Sequence, residues 1–297
     1  MSAQRTSFAG THTALVTPFR DDAFDVKAFR NLIEDQIKGK VQGIVPVGTT
    51  GESPTLSHEE HAEVVRVAVE AAAGRCKVIA GTGSNATSEA IGLTKEAVKL
   101  GADAALIVAP YYNKPSQEGL YRHYRAIAEA ADIPIILYSI PGRCGIEIGV
   151  DTVARLAQDC PNITCIKEAG GSVERVNALK AVLPEEFEIV SGDDSLTIPF
   201  LSAGAVGVIS VASNVIPAEV AAMVQAWLSG DKDGAMAIHR KYYPLFRDLF
   251  VEPNPVPAKY TLALHGKMTP DVRLPLCPMS DASKARLDKT LNALSLS

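Results

Sequence analysis

The run Thr164-Cys165-Ile166-Lys167-Glu168 places a lysine inside a stretch of strand character. An ammonium buried in such a strand is unfavourable unless it is paired or neutral. Two readings follow. Either Glu168 satisfies the charge, or the amine is desolvated, its pKa drawn far below the usual value of about 10.4, and it attacks a carbonyl to form a Schiff base. Tyr138, in ILYS, is suited to relaying the protons that carbinolamine formation and dehydration both require. Arg143 lies just beyond it, and a planar guanidinium suits a carboxylate. Gly48-Thr49-Thr50-Gly51-Glu52-Ser53 is a glycine-flanked turn ahead of a helix, where backbone N–H groups and small hydroxyls can hold a carboxylate or phosphate. Taken alone, that turn reads equally well as a capped loop.

These groups need a scaffold that gathers them, and the rhythm of the chain supplies one. Short β-branched runs at 13–17, 43–47, 77–81, 104–109, 134–139, 164–168, 188–191 and 207–211 alternate with segments of helical periodicity. Most of the runs are continuously apolar, as parallel strands covered on both faces must be. Helix starts are expected at Ser57, with Glu60 completing a capping box, and at Thr87, Ser116 and Asp151. Gly74 and Gly101 stand where helix C-terminal glycines belong. Eight successive βα units predict a closed (β/α)8 TIM barrel, whose strand C-termini form the active face. On that face fall Tyr111 and Tyr112 after the fourth run, Tyr138 in the fifth and Lys167 in the sixth. After residue 211 the pattern turns helical, with segments 216–228, 232–250, 257–266 and 281–294, which predicts a C-terminal helical extension. The division expected is a barrel over 1–230 and a helical region over 231–297. Trp227, the sole tryptophan, reads as packing.

Three other chemistries fit poorly. Residues 81–86, GTGSNA, match GxGxxG/A between a strand and a helix, but two βα units precede them and no acid ends the next strand, against a dinucleotide site. HEEH at His58 and His61 is not HExxH and has no third ligand by spacing, against zinc. The charge balance is 29 basic against 34 acidic residues, or −5, and no run of five or more like charges occurs, against nucleic acid or an anionic membrane as partner. The 47% hydrophobic and 21% charged composition is that of a packed globular protein. Five cysteines without CxxC spacing predict thiols in a reducing compartment. With no apolar stretch of about 18 residues, the expectation is a cytoplasmic protein, neither secreted nor membrane-spanning.

The motifs GTTGESPTL, VAPYYNKPSQEGLYRHY, ILYSIPGRCG, IKEA, SGDD and FVEPNPVPAKY together resemble the dihydrodipicolinate synthase family of pyruvate-dependent class I aldolases, and the similarity runs along essentially the whole chain. The resemblance implies a homotetramer built as a dimer of dimers, which condenses pyruvate with L-aspartate 4-semialdehyde to 4-hydroxy-tetrahydrodipicolinate in lysine biosynthesis. It implies no metal and no organic cofactor. It assigns Lys167 to the Schiff base and Tyr138, Thr49 and Tyr112 to a proton relay, Tyr112 reaching into a neighbouring subunit. Thr50 would hold the pyruvate carboxylate, Arg143 would receive the semialdehyde carboxylate, and Gly192 and Ile209 would line the pyruvate pocket. Ser53, His58, His61, Asn85, Glu89 and Tyr111 match the positions that bind L-lysine in feedback-inhibited members. Two departures from the family pattern, Ser139 for Asn and Cys144 for Thr, touch the surroundings of the site and leave its reactive groups in place.

The alternative within the same family is an N-acetylneuraminate lyase or a sugar-acid aldolase, which would keep Lys167 and Tyr138. The lyase pattern has GSTGE and lacks an arginine where this chain has Arg143. A non-catalytic barrel that binds a small carboxylate would be marked by loss of Lys167 or Tyr138, and both are present.

Overall fold

The computed structural model describes residues 6–296. Eight parallel strands close into a barrel: β1 (Gly10–Ala14), β2 (Gly43–Val45), β3 (Lys77–Gly81), β4 (Ala104–Val108), β5 (Ile135–Ser139), β6 (Ile163–Glu168), β7 (Glu188–Ser191) and β8 (Gly207–Ser210). Each strand pairs with the next in sequence, and β1 closes the ring by pairing with both β8 and β2. A small hairpin of Phe19–Arg20 and Ala23–Phe24 follows β1. The (β/α)8 barrel and its C-terminal helices are therefore as the sequence predicts.

Strand alternation sorts the side chains into an interior and an outer layer. Val45, Ile79, Leu106, Ile136, Cys165, Val190 and Ile209 fill the interior. Their neighbours, among them Leu137, Ile166 and Ile189, face the surrounding helices. The chain that carries Tyr138 inward with Ile136, and Lys167 inward with Cys165, must turn Glu168 outward.

The first strand lies three residues earlier than its apolar run suggests. Thr11, His12 and Thr13 are wholly buried because partners reach them: Thr13 Oγ1 donates to Gln36 Oε1 at 2.7 Å and the His12 ring meets the Phe8 carbonyl at 3.0 Å. The apolar Leu15 and Val16 pack into the outer layer beyond the strand end. The expected capping box is present, with Ser57 Oγ accepting from Glu60 N at 3.1 Å and Glu60 accepting from Ser57 N at 2.9 Å. Gly74 and Gly101 adopt positive φ, as helix-terminal glycines do. Two starts differ. Thr87 is the first residue of its helix and its hydroxyl meets His123 Nδ1 at 2.9 Å, so it does not cap; Asp151 lies inside the first turn after Gly149.

Beyond the barrel, helix Pro217–Leu228 is followed by Lys232–Asp248, Val256–Leu264 and Asp281–Ala293. Asp248 joins the second of these to the last, accepting from Arg286 at 2.6 Å and Thr290 at 2.7 Å. Burial alone would raise its carboxyl, but the bonds from Arg247, Thr290 and Arg286 hold it at about 2. Trp227 packs against the core, with Lys232 Nζ 3.9 Å from its ring centroid. Among the described residues no helix is long and apolar enough to cross a membrane.

Candidate active site

Tyr138 and Lys167 are register partners on β5 and β6, both pointing into the barrel near its C-terminal mouth. The Lys167 amine lies 4.1 Å from the Tyr138 ring centroid. Burial drives the lysine pKa from 10.5 to about 7, and the Arg143 charge pushes the same way while Asp194 opposes it. Near neutral pH a substantial fraction of this amine is therefore unprotonated and nucleophilic. Glu168, on the opposite face, binds Arg175 Nε at 2.8 Å and Gly170 N at 2.7 Å. The reading in which Glu168 neutralises Lys167 is thus excluded by strand geometry. Burial pushes the Tyr138 hydroxyl up to about 12, against the opposing effects of Arg143 and a hydrogen bond with Thr49. A phenol that stays protonated next to an uncharged amine can hand over its proton and take it back.

The turn after β2 supplies the floor opposite. Gly51 N donates to the Gly48 carbonyl and Glu52 N to the Thr49 carbonyl, each at 3.1 Å, which curls the segment, and Glu52 completes it in the left-handed region at φ 54°. Thr50 is buried in this turn and accepts from Asn254 Nδ2 at 2.9 Å. A cavity of about 230 Å³ opens between the turn and β5, lined by Thr49, Ser53, Tyr111, Tyr138, Arg143 and Cys144 among others. Arg143 stands exposed at its rim, on the short helix Pro141–Cys144 that follows β5. Cys144 is buried, and burial pushes its thiol up to about 11, away from the thiolate form. Ser139, the other departure, is fully buried and accepts from Ile148 N at 3.4 Å.

Gly192 follows β7 next to the lysine. A Cβ there would stand 2.6 Å from Ala169 Cβ and 3.0 Å from Lys167 Cε, so only glycine leaves the lysine its space. Ile209 sits in the barrel interior on β8. Tyr112 follows the cavity-lining Tyr111 but is 90% exposed, at φ 74°, and its side chain, like those of Lys167 and Thr50, does not line the cavity. The residues matched to a lysine site divide between two places. Ser53 and Tyr111 line the mouth cavity, whereas His58, His61 and Glu89 line a separate one of about 420 Å³. Asn85 links them, donating to the Tyr111 carbonyl at 3.1 Å. Glu89 is already engaged by Ser84 and by His58 at 2.7 Å, and these two partners hold its carboxyl below the usual range. His61 is buried against the Gly81 carbonyl at 2.8 Å. Among the described residues no group of three or more His, Cys, Asp or Glu is placed to hold a metal ion.

Sequence reasoning passed over two residues. Asp194 of SGDD is buried beside the mouth, accepting from Ser210 Oγ at 2.5 Å, Val211 N at 3.0 Å and Ala212 N at 2.9 Å. Burial raises its carboxyl to about 6 against those bonds. The signal for it was present, since two adjacent acids at a barrel strand's C-terminal end are unusual for packing alone. Asn254 lies in the helical tail, 204 residues from Thr50, and no local pattern links the two.

A parallel barrel with a desolvated amine, a phenol and a hydroxyl-bearing turn at its mouth defines a candidate for carbonyl chemistry through covalent catalysis. The model of the dihydrodipicolinate synthetase family matches residues 7–294, and the chain belongs to that family. It is 50% identical over 289 residues, 97% of this chain and 99% of the relative, to the 4-hydroxy-tetrahydrodipicolinate synthase of Endomicrobium trichonymphae. The solved structure of the same-named enzyme from Methylacidiphilum fumariolicum SolV superposes with a TM-score of 0.96 at 55% identity, covering 97% of this chain and 96% of that one. The Cyanidioschyzon merolae enzyme, solved with lysine bound, gives a TM-score of 0.95 at 43% identity over 98% of this chain and 99% of that one.

Proposed function

We propose that the protein condenses pyruvate with L-aspartate 4-semialdehyde to give 4-hydroxy-tetrahydrodipicolinate, the lysine-pathway reaction of its named relatives. The observation that carries this reading is the buried Lys167 amine, its pKa brought to about 7, facing the Tyr138 phenol. The neutral amine attacks the pyruvate ketone. Tyr138, hydrogen-bonded to Thr49, supplies and removes the protons by which the carbinolamine loses water to an imine. The protonated imine acidifies the methyl group, the resulting enamine forms the carbon–carbon bond to the aldehyde carbon, and the amino group of the adduct then displaces Lys167 as the ring closes. Thr50 holds the pyruvate carboxylate, Gly192 and Ile209 shape the space around it, and Arg143 at the rim takes the semialdehyde carboxylate.

Tyr112 is read as a relay member that works in a neighbouring subunit, which suits its near-complete exposure in the single chain. The assembly proposed is a homotetramer, a dimer of dimers. The lysine bound in the C. merolae structure supports L-lysine as a feedback inhibitor, held by Ser53, His58, His61, Asn85, Glu89 and Tyr111 where two chains meet. The test is chemical: incubate with pyruvate, reduce with borohydride, digest, and locate the adduct, while a parallel assay follows product from both substrates. A secondary amine on the Lys167 peptide with product formation is the expected result. Product formation with trapping at another lysine, or trapping without any turnover of the semialdehyde, would overturn the reading.

A further inference from the structure

The C-terminal helical region reaches back over the barrel to the turn at residues 48–53. Asn254 donates from Nδ2 to Thr50 Oγ1 at 2.9 Å, and both side chains are buried, 6% and 3% exposed. The tail holds this turn at further points. Lys259 pairs with Glu52 and donates to the Asp271 carbonyl at 2.8 Å. Arg273 N donates to Glu52 Oε2 at 3.1 Å, and the Arg273 guanidinium reaches the Thr55 carbonyl at 2.9 Å. Asn254 and Thr50 are thus fixed with respect to each other.

A threonine hydroxyl has one hydrogen and two lone pairs. An N–H that occupies a lone pair sends the hydrogen elsewhere, and a substrate carboxylate, which only accepts, needs that hydrogen aimed at it. The reverse arrangement, with the amide oxygen accepting from Thr50, would bury the NH2 group without this acceptor and withdraw the hydrogen from the mouth. Meanwhile Asn254 Oδ1 is buried with no hydrogen-bond partner among the described residues. The side-chain contact of this amide is therefore made through its NH2 group, to Thr50.

We propose that Asn254 is a positioning residue for pyruvate: it sets the direction of the Thr50 hydroxyl so that its hydrogen is presented to the pyruvate carboxylate. The proposal rests on the reading of Thr50 as the carboxylate donor, and the experiment separates the two. Asn254→Asp, in the full-length chain, replaces the donor by an acceptor of the same shape and turns the Thr50 hydrogen away from the mouth. The pyruvate KM is expected to rise at least about tenfold, as for a lost charge-assisted hydrogen bond. The semialdehyde KM and kcat at saturating pyruvate should stay within roughly threefold. Asn254→Ala, which frees the hydroxyl without inverting it, should give a smaller rise in the same constant and provides the measurement if the aspartate variant does not fold. In a Thr50→Val background neither substitution should raise the pyruvate KM further. If Thr50→Val itself leaves the pyruvate KM unchanged, the Thr50 assignment fails. A rise with Thr50→Val but none with Asn254→Asp, an equal rise in both substrates' constants, or additivity in the double variant overturns the role given to Asn254.

Discussion

Lys167 at the barrel mouth and Lys259 in the C-terminal helices are buried to similar depth, 6% and 0% exposed, in opposite electrostatic settings. Lys259 pairs with the buried Glu52, donates to a carbonyl, and lies 4.2 Å from the Phe19 ring centroid. Burial draws its pKa below the ordinary lysine value, and Glu52 acts to restore it. Around Lys167 no ion pair forms among the described residues, and Asp194, the carboxylate whose charge reaches it, is tied to Ser210 and two backbone amides. The same side chain is therefore held in an ion pair in one place and left as a desolvated nucleophile in the other. What decides between them is whether a partner is supplied to offset desolvation.

The largest separation between the two sites should come from replacing each lysine by methionine. Lys259→Met strands the Glu52 carboxylate, so denaturant unfolding should show a loss of about 3–5 kcal/mol. Lys167→Met should abolish pyruvate trapping yet leave stability unchanged or improved. The gain should be greatest below pH 7. Between about 7 and 10.5 the unfolded chain keeps a proton that the folded lysine has shed, so the penalty for Lys167 diminishes as pH rises through that window. Comparable destabilisation by both substitutions would mean that the two lysines do not differ in how their burial is offset.

Tyr138→Phe sharpens the comparison on the chemical side. It keeps the ring beside Lys167 and removes only the proton donor, so kcat should fall by about 10²–10⁴-fold, with the thermal midpoint nearly unchanged. A loss below tenfold in steady-state assays would mean that another group carries the relay. The smallest effect is in the pH profile. Single-turnover imine formation with pyruvate should drop about tenfold per pH unit below about 7, where Lys167 is protonated, and level off above it. A profile that keeps rising to pH 10 would show that the amine is not desolvated in solution.

The barrel was legible in the sequence because its signal is local. A continuously apolar run needs no knowledge of its neighbours to read as a covered parallel strand, and Lys77–Gly81 and Glu188–Ser191 fall where such runs predict. Local rules were weaker where buried polar residues depend on distant partners, which is why Thr11 and His12 read as outside the strand that contains them. Motif and residue type together singled out Lys167, Tyr138 and the turn at 48–53. Closure of the sheet was needed to decide that Lys167 faces Tyr138 while Glu168 turns to Arg175, since a one-residue change of face exchanges their surroundings. Only the tertiary structure brings Asn254 to Thr50 and Lys259 to Glu52 across some two hundred residues. The types of the reactive groups were therefore set by the sequence alone. Their protonation and the direction of their hydrogens were set by which distant side chains the fold carries into contact, because desolvation and hydrogen-bond direction depend on the whole surroundings of a group and not on its neighbours in the chain.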